Sequence, residues 1–238
     1  MFDDGTFELL PIPESPPIAG PHSVLLGELT SWNQPGRPLR RLIPRRLWDK
    51  PAHLDPEFVT MTYGDNCESS PRAAALKRVA PRDLIFFIAR LRRADGTRSA
   101  FGFYLVGFLD VSEVLRSVRS RLTPATLQRF GANAHVRRGL NGPRHWDGFW
   151  VFGGSTRSRR FRRAVPVDRD FAVSVLRASS GLPWAWPAAR TELQTIGSYT
   201  RTCRCIIDPA SSDAVRRTEA LRRHIEYFNP DAFQPGEE

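Results

Sequence analysis

Two nearly unbroken apolar runs dominate the hydrophobic pattern, residues 83–91 (DLIFFIARL) and residues 102–111 (GFYLVGFLDV), joined by a polar connection carrying Asp95 and Gly96. Runs of this length and apolarity predict two strands paired as a central antiparallel hairpin, buried on both faces. Residues 57–63 alternate in β fashion and stop at Gly64-Asp65-Asn66, a turn composition, while residues 149–152 (FWVF) predict another buried strand and residues 202–207 a later one of period two. Ser112 is placed to cap a helix striped by Val114, Leu115, Val118 and Leu122, and Thr123-Pro124 restarts it with a cap and an N1 proline. Ala214, Thr218, Leu221, Ile225 and Phe228 mark one face of a C-terminal helix. Prolines 11, 13, 16, 17, 21, 35, 38 and 44 exclude long helices near the start and predict an extended wrap. Together these elements predict an α+β fold around a mixed, partly barrel-like sheet with flanking helices. The expected organisation is one domain, with the wrap over 1–50, the sheet core over 51–210, the helix over 211–228 and a frayed tail over 229–238.

Charge changes the picture from a generic fold to one with a preferred class of partner. The chain carries +10 net charge with a pI near 10.6, and its only lysines are Lys50 and Lys77. The excess is spread from Arg37 to Arg223, which predicts a basic surface rather than a basic tail. It is densest at Arg157, Arg159, Arg160, Arg162 and Arg163, around Ser158 and directly after Gly153-Gly154. Guanidinium forks and glycine backbone N–H groups suit phosphate oxygens, so this stretch predicts a nucleic-acid contact. In an extended segment Arg157, Arg159 and Arg163 share one face and Arg160 and Arg162 the other. A solvated edge strand, protected from aggregation by its charge, is the plainer alternative. The acidic N-terminus, the lack of an 18-residue apolar run and the odd, unpaired Cys67, Cys203 and Cys205 predict a cytoplasmic chain with reduced thiols, no membrane span, no structural metal and no cofactor.

Candidate chemistry concentrates in a few places. Residues 133–150 have loop composition, and Asn133, His135 and Trp146 there supply an amide, an imidazole and a stacking face suited to a base outside its stack. Ordinary packing is the alternative for Trp146 and for Trp150. Trp184 and Trp186 form a second aromatic pair that serves equally as a clasp for the C-terminal helix. Acid–base candidates are His53 with Asp55, Asp65, and His135 with His145. Asp55 and Asp65 flank a strand and could converge on a metal, although turn chemistry explains each more simply. No Gly-x-Ser-x-Gly elbow, phosphate-binding Walker loop, His-Glu-x-x-His or zinc-deaminase signature occurs.

Several short motifs in common order carry a resemblance: Asp4-Gly5-Thr6 leading into Leu10-Pro11-Ile12-Pro13-Glu14, Ala52-His53-Leu54-Asp55-Pro56-Glu57, a glycine-aspartate (Gly64-Asp65) after the following strand, Arg82-Asp83-Leu84-Ile85-Phe86-Phe87, Tyr104-Leu105-Val106-Gly107-Phe108-Leu109-Asp110-Val111, Asn133-Ala134-His135 and Ser158-Arg159-Arg160-Phe161. From the N-terminus to about residue 170 the chain resembles the third nucleotide-modification-associated domain family. The resemblance implies a bacterial or phage system that makes or handles modified DNA bases. The chain departs from the family pattern in beginning almost on the Asp-Gly-Thr motif, without a leading basic, glycine-rich strand. The two central strands are also similar to those of the PUA-like group of ASCH, EVE and YTH domains, several of which bind modified or flipped bases. The expected partner is nucleic acid, DNA before RNA, or a nucleotide. The expected role is a binding protein that recognises a modified base, with a transferase or hydrolase of that base and a basic protein-interaction module as the alternatives.

Overall fold

A computed structural model describes residues 1–234 apart from 16, 19, 72, 94–100, 179–181, 183, 185, 197–204 and 207–209. The Asp95-Gly96 connection and most of the expected strand at 202–207 therefore lie outside the described residues. The fold is α+β, with a sheet curled into a half-barrel. Its spine is one long strand, β5 (Gly102–Val118), which the remaining elements use in two halves. To number the others in chain order, β1 (Ile12–Pro13) pairs with β2 (Ala52–His53), and β3 (Thr62–Asp65) and β4 (Leu84–Leu91) precede β5 in the main sheet. After β5 come β6 (Phe149–Gly154) and β7 (Arg159–Pro166), and the short pair β8 (Arg177–Ala178) and β9 (Cys205–Ile206) follows.

The predicted pairing of residues 83–91 with 102–111 is present, running antiparallel from Leu84 opposite Asp110 to Leu91 opposite Gly102. Its position differs from expectation. In the order β3-β6-β5-β4, β4 is an edge strand, with Phe87 and Leu91 turned into the core while Leu84 and Ile88 are 47% and 39% exposed. An unbroken apolar run thus reflects an inner face and a concave outer one, rather than burial on both sides. The expected helix over 112–122 is also replaced, because β5 continues to Val118 beside β6 with Val114 opposite Phe152 and Val118 opposite Phe149. The i, i+1, i+4 spacing read as a helical stripe is produced by register shifts at Val111/Glu113 and Leu115/Val118, and the β-branched valines suit the pleat.

Strands β6 and β7 lie in line along β5, their registers running from Val118–Phe149 through Val111–Gly154 to Phe108–Arg159 and Tyr104–Pro166. Between them residues 155–158 bulge outward around a buried aspartate. Asp110 carbonyl accepts from Ser155 N–H, its carboxylate accepts from Ser155 Oγ and from Arg157 Nε at 2.9 Å, and Ser158 Oγ accepts from its N–H at 3.0 Å.

Helix α1 (Pro124–Phe130) starts as predicted, with Thr123 as N-cap accepting from Thr126 N–H. Helix α2 (Ala134–Asn141) occupies a stretch expected to be loop. Its glycine is the reason the composition misled, since a Cβ on Gly139 would stand 2.6 Å from the Trp146 indole, so the ring needs a helix without a side chain there. Helices α3 (Arg169–Val175), α4 (Glu192–Thr195) and α5 (Ala214–Phe228) follow. Leu221 and Ile225 of α5 share a buried cluster with Phe161, Val165, Phe171 and Trp186, and Trp184 packs against it. That places the Trp184–Trp186 pair in the clasp role. Phe7, Phe58, Phe87, Val106 and Phe152 form a second cluster, and Phe130, Val136, Phe149 and Val151 a third under α1 and α2.

Candidate functional site

Four of the five acid–base candidates come together from three separate parts of the chain. Strand β1 pairs with β2 and sets His53, with Glu14 just beyond β1 tied by its N–H to Pro51 carbonyl at 2.9 Å. The chain then passes Asp55, whose bond to Pro56 is cis, and turns at Glu57. Glu57 makes that turn: its carboxylate accepts from the N–H groups of Val59 and Thr60, both at 2.7 Å, and its backbone exchanges two hydrogen bonds with Thr62. The return strand β3 delivers Gly64 and Asp65. Gly64 N–H donates to both Asp55 carboxylate oxygens at 3.0 and 3.1 Å, fixing the orientation of that group.

His135 arrives from the first turn of α2. Asn133 caps the helix, its Oδ1 accepting from His135 N–H at 3.0 Å, and its Nδ2 reaches Thr62 Oγ1 at 3.5 Å. Gly64 is what admits the imidazole, since a Cβ there would lie 2.7 Å from His135 Cδ2. The result is a compact group in which His135 Nε2 stands 3.5 Å and His53 Nε2 3.9 Å from Asp55 Oδ2. The two rings meet edge to face at 5.2 Å, and Glu14 Oε1 is 3.6 Å from His53 Nδ1. His53 is the most open of these side chains at 20%, against 3% for Asp55, 7% for Glu14 and 8% for His135.

Burial governs the electrostatics. It raises the Asp55 carboxyl to about 8 against the opposing pull of His53 and the Gly64 hydrogen bond, with Asp65 adding to the rise. The same desolvation, reinforced by the charges of His53 and Arg138, lowers His135 to about 3, so its imidazole is neutral. Arg137 is likewise lowered by burial, opposed by Glu57, Glu14 and Asp55, and its Nη2 is buried with no hydrogen bond among the described residues.

His53, Asp55, Tyr63, Asp65 and His135 line a concavity of about 2240 Å³, too large for one small ligand and better described as connected depressions. Trp32, Arg138 and Arg160 line it too. Asp65 accepts from Tyr63 Oη at 2.9 Å and from Asn66 N–H at 2.8 Å. His145 does not join the group, sitting in a single turn over Pro143–His145 beside a small depression lined by Ile18 and Asn141. Asn133 is buried as a cap. Trp146 stacks on Phe149 at 5.9 Å and packs on Gly139, and it is not among the residues that line the concavity.

The arginine stretch divides by environment instead of forming one track. Arg157 pairs with Asp110, and Arg159 donates to the carbonyls of Thr156, Ser158 and Gln234. Arg160 is sandwiched by Phe7 at 4.4 Å and Trp32 at 4.8 Å and donates to Phe7 carbonyl at 2.7 Å. Burial lowers it to about 10, with Glu8 opposing, so it stays charged near neutrality. Arg162 and Arg163 are exposed.

A family model described as nucleotide modification associated domain 3 matches residues 1–192, a span holding the whole His–Asp group, the half-barrel and the arginine stretch. The chain belongs to that family. Membership ties this nucleotide modification associated domain to the nucleotide-modification systems its name describes. No match was found among curated proteins or solved structures. Among the described residues no helix is long and apolar enough to cross a membrane. The residues that sequence reasoning passed over in this domain are Glu14, Gly64 and Trp32. Glu14 sits in a proline-rich stretch read as a wrap, Gly64 looks like a turn residue, and Trp32 carries no local pattern at all.

Proposed function

We propose that this nucleotide modification associated domain is an enzyme, a transferase or hydrolase that acts on a base of a nucleotide or of DNA. The observation that supports it is the convergence of His53, Asp55, His135 and Asp65 at one wall of an open concavity, brought from three stretches of chain by a turn, a glycine and a helix cap. A group with only a packing role has no need of four titratable side chains converging beside a concavity that His53 opens onto. In this reading the His–Asp group is the reacting centre, with His53 its accessible member and Gly64 N–H and Glu14 its positioning groups. Trp32, held against Arg160 and 46% exposed, offers a face for the base, and the exposed Arg162 and Arg163 supply phosphate contacts.

The test is to incubate the protein with nucleotides and with DNA carrying unmodified or modified bases, then follow the nucleosides by mass spectrometry. Wild type converts one of them, and His53→Ala lowers the rate by at least about 100-fold while its circular dichroism is unchanged. Binding with no conversion of any substrate would instead leave a reader of modified bases, for which the Trp32–Arg160 wall is the supporting feature.

A further inference from the structure

The spacing inside the reacting centre is wrong for hydrogen bonds and right for ligands. His135 is buried, yet among the described residues neither its ring nitrogens nor those of His53 make a hydrogen bond; carboxylate oxygens face His135 Nε2 and both His53 nitrogens at 3.5–3.9 Å. Hydrogen bonds to nitrogen run about 2.7–3.2 Å, so these separations are too long for them. Two donors on one ion, each about 2.0–2.2 Å from it, stand roughly 3.0–3.5 Å apart. One ligand atom from each of His53, Asp55 and His135 falls within 4.8 Å of the other two, so a small closing movement sets all three on a common centre.

We propose that His53 Nε2, His135 Nε2 and an Asp55 oxygen bind one divalent first-row transition-metal ion. Two imidazoles and one carboxylate are the donor set that suits such an ion while leaving positions for water or a substrate oxygen. The surroundings supply the support that metal ligands require. Glu14 Oε1 faces the other nitrogen of the His53 ring at 3.6 Å, placed to accept from Nδ1–H once the ring closes on the ion, and Gly64 N–H fixes the Asp55 carboxylate. The first turn of α2, capped by Asn133, fixes His135. Asp65, also at this wall, is held by Tyr63 and Asn66, which leaves it beside the ion rather than among its ligands. The proposal deepens the enzymatic reading by naming what the reacting centre holds.

The experiment is calorimetric titration of metal-stripped, full-length protein with Zn²⁺ and with Co²⁺, the latter also followed by its visible absorption. The expected result is saturation at about one ion per chain, loss of that step in His53→Ala and Asp55→Asn, and affinity about 10–100-fold weaker in Glu14→Gln, which keeps all three ligands. Wild-type protein that takes up no ion saturably, or variants that bind as wild type does, would overturn the site. The two proposals fail separately. Base conversion that persists in excess chelator removes the metal and keeps the enzyme, whereas stoichiometric uptake with no conversion keeps the metal and removes the enzyme.

Discussion

Residues matter here mainly through close approach. Gly139 sits inside α2, where alanine is ordinarily better by about 1 kcal/mol, but a Cβ would meet three atoms of the Trp146 ring at 2.6–2.7 Å. Overpacking of that kind costs about 1–3 kcal/mol, so the contact outweighs the propensity. Gly139→Ala therefore lowers the urea midpoint of unfolding and shifts the Trp146 fluorescence. A rise in the midpoint would show that the ring moves aside without cost. Residue chemistry alone identified His53, Asp55, Asp65 and His135 as acid–base candidates, because imidazoles and aspartates near turns stand out in a chain with five histidines. It included His145 on the same grounds, and only the path of the chain separates it from the others. Glu14 and Gly64 fall in motifs that mark the family, but nothing local tied either to the histidines. Their roles follow from facing His53 and His135 across the fold.

At the scale of elements, the sheet is organised by pairing partners that local pattern does not reveal. Phe87 of β4 meets Phe58 at 5.6 Å and Tyr63 at 5.3 Å, both edge to face, and is 9% exposed. Although β4 is an edge strand, Phe87→Ala costs about 3–5 kcal/mol in chemical denaturation, the scale for a buried phenylalanine. A loss within about 0.5 kcal/mol, usual for surface sites, would place the ring outside the core. The antiparallel pairing of β4 with β5 was legible because both runs are long and apolar. That β5 would run on through residues 112–118 was not legible, since a bulged strand and a helix bury similar subsets of the same residues. The capped start of α1 was legible because caps are local, and so were Ala214, Leu221 and Ile225 of the α5 stripe, but Thr218 is exposed and Arg217, expected at the surface, is buried and donates to Leu176 carbonyl.

The molecule as a whole carries its positive charge unevenly once contacts are counted. Five arginines lie between residues 157 and 163, yet Arg157, Arg159 and Arg160 are engaged with Asp110, backbone carbonyls and aromatic rings. Phosphate binding in the proposed function thus falls to Arg162 and Arg163. Replacing both by alanine reduces the log–log salt slope of DNA binding by up to about 2, near 0.9 per phosphate contact, and changes stability by less than about 0.5 kcal/mol. Arg160→Ala behaves in the opposite way. It empties the space between Phe7 and Trp32 and strips a donor from the Phe7 carbonyl, so stability falls by about 1–3 kcal/mol. A slope unchanged in the double variant would remove this face from the binding surface.

The sequence by itself determined the fold class, the order of the motifs that mark the family, the basic character and the identity of the titratable residues, since each depends on local pattern or on composition. Tertiary structure decided which strand lies at the edge, which arginines are held by carbonyls and aromatic rings, and that His53, Asp55 and His135 face one another across a few ångströms. The physical reason is distance along the chain. Asp55 and His135 are eighty positions apart, and what unites them is a glycine without a Cβ and an asparagine cap on a helix, neither of which carries meaning until the strand and the helix have met.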